Sequence, residues 1–192
     1  MTYEEWITTS KTWTCPKTGI WEIICVGGGA GGGLKPNASG NTFSQNTGGT
    51  TSFGSYLSAS GGSKSNESGG FTGDVGGTGG YTGFNYGGIG EVRYTSTAND
   101  VSPATGNGGY IMEPGLGYGA GGGASGSSNS SGGGTAYSGN AGEIKSMTLD
   151  LSANQSITCT IGTGGAAGDA GTSKIIFATA GKAGCIHIRF IQ

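Results

Sequence analysis

The sequence predicts an all-β protein: a jelly-roll-like β-sandwich built from both chain ends, carrying a glycine-rich insertion of polyglycine-II type. Two observations carry that expectation. Glycine and isoleucine are segregated, since residues 27–143 hold 38 of the 46 Gly while 12 of the 14 Ile lie in 1–26 and 144–192. In addition, no stretch combines a helix start signal with a 3.6-residue apolar period. The chain reads as one domain over 1–192, with 1–12 as an N-terminal arm, 13–26 and 144–192 as the sandwich, and 27–143 as the insertion.

In chain order, Trp21-Glu22-Ile23-Ile24-Cys25-Val26 is a strand rich in β-branched and aromatic residues, entered through Pro16 and Gly19. Met147-Thr148-Leu149-Asp150-Leu151 alternates with period two. A polar Ser-Ala-Asn-Gln turn follows, and Ser156-Ile157-Thr158-Cys159-Thr160-Ile161 alternates again. In the last strand, Cys185 to Phe190, residues 186, 188 and 190 share one face and 185, 187 and 189 the other.

The middle cannot be a side-chain core. Glycine has nothing to bury, and ordering it costs more backbone entropy than ordering any other residue. Gly27-Gly28-Gly29-Ala30-Gly31-Gly32-Gly33 and Gly119-Ala120-Gly121-Gly122-Gly123-Ala124 suit extended left-handed chains with three residues per turn. Such chains keep their N–H groups and can bond laterally to neighbours. Segments around 27–33, 61–90 and 115–136 are expected to run this way. A Gly/Ser linker is the plainer reading, but this segment interleaves Phe53, Tyr56, Phe71, Tyr81, Phe84, Tyr86, Tyr94, Tyr110, Tyr118 and Tyr137.

Charge excludes several classes. Nine basic against 11 acidic residues leave a net charge of −2, which is no footprint for nucleic acid or an anionic membrane. No apolar run approaches the ~20 residues of a membrane span, and MTYEEWITTSK has neither a basic nor an apolar signal region. Four Pro and a broken Gly register exclude collagen.

The chemical motifs are weak. No G-x-x-x-x-G-K-[ST] occurs, and Gly162-Thr163-Gly164-Gly165-Ala166-Ala167 matches a dinucleotide loop with no helix behind it. His187 stands alone, and Cys15, Cys25, Cys159 and Cys185 show no C-x-x-C spacing. The cysteines read as buried free thiols, with disulfides or a metal site as the alternatives. The carboxylates are scattered singly, so no glycosidase pair is signalled. No catalytic residue, cofactor or metal is expected.

Four segments together carry a resemblance. Trp13-Thr14-Cys15-Pro16-Lys17-Thr18-Gly19-Ile20-Trp21-Glu22-Ile23 before GGGAGGG resembles the opening of the glycine-rich domain of bacteriophage tail-fibre and related virion adhesin proteins. Gly48 to Gly54 with Ala59-Ser60-Gly61-Gly62, Ser156 to Gly165, and Gly181 to Phe190 resemble that family's later units, in order along the chain. A similar Trp-x-x-Pro and glycine pattern occurs, more distantly, in the glycine-rich ectodomain of anaplastic-lymphoma-type receptor kinases. The resemblance implies a β-sandwich with a polyglycine-helix insertion, placement on a virion assembled in the bacterial cytoplasm, and no catalytic residue.

Function is then expected to be non-enzymatic binding of a bacterial surface glycan or protein. The alternative is a structural virion part, such as a head fibre, decoration or tail-tip component without a specific receptor. Aromatic and hydrogen-bonding residues around the longest Gly-free stretch of the middle, 91–105, are the candidate receptor-binding set: Tyr81, Phe84, Tyr86, Arg93, Tyr94, Asn99 and Tyr110. The other reading of these rings is that they pack the scaffold. The N-terminal arm is expected to contact other virion proteins, with a homotrimer as the assembly considered.

Overall fold

A computed structural model describes residues 3–36, 46–64, 101–104, 110–112, 116–119, 121–122, 124–127, 134–137, 139–168, 176–178 and 180–192. None of the described residues is helical. In chain order the strands are β1 (Glu4–Ile7), β2 (Lys11–Thr14), β3 (Gly19–Val26), β4 (Gly33–Pro36), β5 (Thr51–Phe53), β6 (Leu57–Ala59), β7 (Val101–Ala104) and β8 (Tyr110–Met112). They continue with β9 (Leu116–Tyr118), β10 (Ala124–Ser127), β11 (Gly134–Tyr137), β12 (Ile144–Leu151), β13 (Ser156–Thr160), β14 (Ile176–Ala178) and β15 (Cys185–Phe190).

Two antiparallel four-stranded sheets dominate, with strand orders β1-β15-β3-β12 and β2-β13-β5-β6. Period-two alternation sets their register. Trp21, Ile23 and Cys25 of β3 point the same way as Ile186 and Ile188 of β15, and all five are fully buried. From the second sheet Trp13, Phe53, Ile157 and Cys159 join them in one cluster. Aromatic edges organise it: Trp21 meets Tyr3, Trp13 and Phe190 edge-on at 5.2, 5.4 and 5.0 Å between centroids, a geometry the ring quadrupoles favour.

Residues 1–12 do not form a separate arm in their described part. Glu4–Ile7 is the edge strand beside β15, and Lys11 begins the edge strand beside β13. Their charges hid them, because Glu4, Glu5 and Lys11 break the apolar pattern. Charged side chains are a common feature of edge strands, where they discourage pairing with another chain.

At one pole of the sheets six strand ends run directly into glycine segments: 27–33 after β3, 46–50 before β5, 60–63 after β6, 139–143 before β12, 162–168 after β13 and 180–184 before β15. The chain 27–33 lies at their centre. Its N–H groups donate with a period of three. Gly27 and Ala30 bond Glu143 and Asn140, Gly28 and Gly31 bond Gly49 and Asn46, and Gly29 bonds Lys182, all at 2.9 Å. Its carbonyls accept from three other segments: from Gly62 at 2.7 Å, and from Gly122, Gly165 and Gly168 at 2.8 Å.

Neighbouring outer segments bond one another and close the ring. Gly48 donates to Gly62, Gly49 to Thr163, Gly181 to Gly165, Gly119 to Ala183, Gly142 to Gly119 and Glu143 to Ser60. Among the described residues, the central chain therefore has six neighbours. The three it donates to run against it, and the three that donate to it run with it.

Close approach of backbones explains the glycine. A Cβ on Gly28 would stand 2.1 Å from the Thr163 carbonyl oxygen, and one on Gly31 2.0 Å from that of Ala166. The bundle also differs from the expected insertion over 27–143, because 162–168 and 180–184 belong to it although they lie in the C-terminal part assigned to the sheets. Of the segments expected to bond laterally, 27–33 does so, as do Gly62 and Gly119 and Gly122; residues 65–90 lie outside the described residues.

Candidate functional site

Beyond the bundle the chains re-pair in short sheets. β4 extends the central chain and pairs with β11, and β10 lies between β7 and β14. β8 pairs with β9 on the other side, where β9 enters the bundle at Gly119 beside the sheets, bonded to Ala183 and Gly142. At the distal end the described chain leaves the bundle after Gly33, Lys64, Gly122 and Gly168 and re-enters it before Asn46, Gly139 and Ala180.

The sequence-expected binding residues belong to the connection that departs after Lys64. Tyr81, Phe84, Tyr86, Arg93, Tyr94 and Asn99 lie outside the described residues, which resume at Val101. Tyr110 is the first residue of β8, in register with Tyr118 of β9.

The junction between sheets and bundle holds a polar clamp that carries no signal in the sequence. The Glu143 carboxylate accepts the Ser60 N–H at 2.9 Å, while the Glu143 N–H donates to the Ser60 carbonyl at 2.9 Å. Lys145 sits 3.0 Å from the same carboxylate. The Ser60 N–H, with the Lys145 ammonium adding to it, holds the Glu143 carboxyl below its ordinary range. Nearby, buried Thr51 accepts the Gly162 N–H on its Oγ1 at 2.9 Å. Glu143 and Ser60 are far apart in sequence, so only the fold brings them together.

A second polar cluster closes the β1–β2 edge. Glu5 accepts hydrogen bonds from the Tyr3 hydroxyl and the Lys11 ammonium, and from Trp13 Nε1 at 3.1 Å. Burial pushes the Glu5 carboxyl up, but Lys11, Tyr3 and Trp13 together outweigh it and leave it below its ordinary value.

The remaining chemical candidates are engaged in packing. His187 Nε2 lies 2.7 Å from Glu4 Oε1, and the Trp6 ring stacks on the imidazole at 3.7 Å between centroids. Its Nδ1 is buried without a partner. All four cysteines are free and buried. Burial pushes the thiols of Cys25 and Cys185 up to about 12 and that of Cys159 to about 11, and it raises Cys15 as well. The thiolate is the nucleophile and metal ligand, so these sites hold their sulfur in its inert form. Among the described residues no three of His, Cys, Asp and Glu gather as a metal site. The loop at 162–168, which matched a dinucleotide fingerprint, is a bundle segment whose Gly165 and Gly168 N–H groups bond the central chain.

No known family model, curated protein or solved structure matches the chain.

Proposed function

We propose that the chain is a non-enzymatic virion fibre or adhesin module of a bacteriophage, binding a glycan or protein on the bacterial surface through its distal connections. The reading includes a finer architecture. Counting only the strands of the two large sheets in chain order, their arrangement reads 1-8-3-6 and 2-7-4-5, which supports a jelly-roll sandwich. The three-residue period of the 27–33 hydrogen bonds supports a polyglycine-II bundle growing from its end.

The observation that carries the function is polarity. Glu4 pairs with Arg189 at the pole remote from the bundle, whereas Cys185 pairs with Val26 beside it. The first described strand thus begins and the last ends at one pole, while the chain leaves the bundle after Gly33, Lys64, Gly122 and Gly168 at the other. A scaffold ordered by backbone bonds pre-organises the loops it carries, so little ordering entropy remains to be lost on binding. Tyrosine, arginine and asparagine in such loops offer contact area and hydrogen bonds at modest entropic cost.

The test is labelling of a bacterial strain panel with a fluorescent, tetrameric form of the protein. A narrow set of strains is expected to be stained. Staining is expected to weaken when 91–105 is replaced by Gly/Ser, or when Arg93→Ala and Tyr94→Ala are introduced, with no change in melting temperature. A multivalent probe raises weak single-site binding by ~10²–10⁴. Absence of staining with it would overturn the adhesin reading in favour of a structural virion component.

A further inference from the structure

We propose that residues 19–36 form a tension member, one continuous segment that carries force from the distal end of the bundle into the sheets while the chains around it hold it in place. The inference stands apart from the adhesin reading, because it follows from strand order, burial and hydrogen-bond direction alone.

The segment is the inner member of the sheet and of the bundle. As β3 it lies between β15 and β12, paired with β12 from Gly19 to Val26 and with β15 from Trp21 to Val26. As 27–33 it is the central chain of the bundle, and as β4 it pairs with β11. Its two flanking ladders pass from sheet to bundle without a break. On one side Val26 stands opposite Ile144, Gly27 donates to Glu143 and Ala30 to Asn140. On the other side Val26 stands opposite Cys185, and Gly29 donates to Lys182. The same two neighbouring chains therefore flank the segment in both layers.

An outer chain is held differently. Residues 60–64 continue β6, a three-residue strand at the edge of its sheet, paired with β5 from Leu57 to Ala59. In the bundle this chain is fixed by Gly62 to Gly28 and Gly48, by Ser60 to Glu143, and by Asn140 Nδ2 to Ser63 Oγ at 3.0 Å. Ser60, Ser63 and Lys64 are exposed, so one side of the chain is open.

Force separates the two cases. In an antiparallel ladder the hydrogen bonds lie across the strands, so a pull along the axis shears all the bonds of a chain at once. A chain with an open side escapes this by peeling away, one bond after another. The central chain has no open side among the described residues, since six neighbours surround it. Its sheet end is also anchored by side chains. To slide toward the bundle, β3 would have to draw Trp21 and Ile23, both fully buried, through the apolar core.

The test is single-molecule stretching of the full chain between two introduced thiols. The four native cysteines are buried, with their thiols pushed up, so the introduced ones are the reactive pair. One attachment is always Ala153→Cys, exposed in the turn between β12 and β13 at the pole remote from the bundle. The other is Lys35→Cys on the central segment or Lys64→Cys on the outer chain. Pro36→Cys replaces Lys35→Cys should that change lower the melting temperature. Lifetime at constant load reads the unfolding rate directly. Pulled from position 35 or 36, the chain is expected to last about tenfold longer than when pulled from position 64, the effect of one or two more hydrogen bonds broken in the barrier. Equal lifetimes, or a shorter one for the central attachment, would overturn the tension member.

Discussion

The two-sheet region and the glycine bundle solve the same problem, excluding water from a chain interior, by opposite means. Between the sheets the interior is side chain: Trp21, Phe53, Trp13 and five isoleucines bury apolar area, the dominant favourable term in folding. In the bundle the interior is backbone. Gly27, Gly28, Gly29, Ala30 and Gly31 each donate to a neighbouring chain at 2.9 Å, and density comes from the absence of Cβ atoms. Side-chain cores tolerate volume-conserving exchange because neighbours can repack. A backbone core has no such freedom, because the atom that a new Cβ would strike is a carbonyl already engaged in the fold.

The largest effect is expected from the side-chain interior. Trp21→Ala should remove about 4 kcal/mol, the range for a deleted core aromatic. Six bundle chains continue strands of the sheets, so glycine amides in 27–31 should lose exchange protection together with the β3 amides. Bundle amides that stay protected while the sheets open would show two independent units and break the comparison.

Next comes Gly28→Ala, a single methyl. Overpacking ordinarily costs about 1–3 kcal/mol, and the upper end is expected here because the carbonyl oxygen 2.1 Å away belongs to Thr163 backbone. The same methyl group already sits at Ala30 with zero exposure, so a stability loss below about 0.5 kcal/mol at position 28 would show that the bundle yields as a side-chain core does. Chemical denaturation measures it.

Smaller effects test the junction and the β1–β2 edge. Glu143 and Glu5 both titrate below their ordinary range in the folded chain. A depressed carboxylate contributes stability that is present above its unfolded value of about 4.5 and is lost as pH falls through the lower folded value. Melting temperature should therefore drop below about pH 4.5. Glu143→Gln should flatten part of that slope, with a loss at neutral pH of about 0.5–1 kcal/mol for a half-exposed group. A slope identical to wild type would remove Glu143 from the clamp.

The smallest expected signal is chemical. With thiols pushed up to about 11 and 12 at Cys159, Cys25 and Cys185, a thiol-reactive probe at neutral pH should label none of these three until the chain unfolds. Rapid labelling of the native protein would mean that the junction opens locally.

Local pattern was enough for part of this. Leu149 and Leu151, Ile157, and Ile186 and Ile188 alternate with their neighbours, so three strands and their inward faces are legible within windows of six residues. Gly27 to Gly33, glycine throughout but for Ala30, announces backbone-on-backbone packing because so long a run lacking side chains has little else to pack. The candidate recognition residues are legible only as a composition, aromatic and polar between glycines, and all of them but Tyr110 lie outside the described residues.

Tertiary structure alone decided the rest. β1 and β2 become edge strands because β15 and β13 offer them partners far along the chain. Glu143 meets Ser60, and Gly28 meets Gly49 rather than some other glycine, because six strand ends converge at one pole. A glycine segment has no side-chain pattern with which to specify a neighbour or a register. Its partners are set by the strands to which it is joined, whose register the buried isoleucines and tryptophans hold.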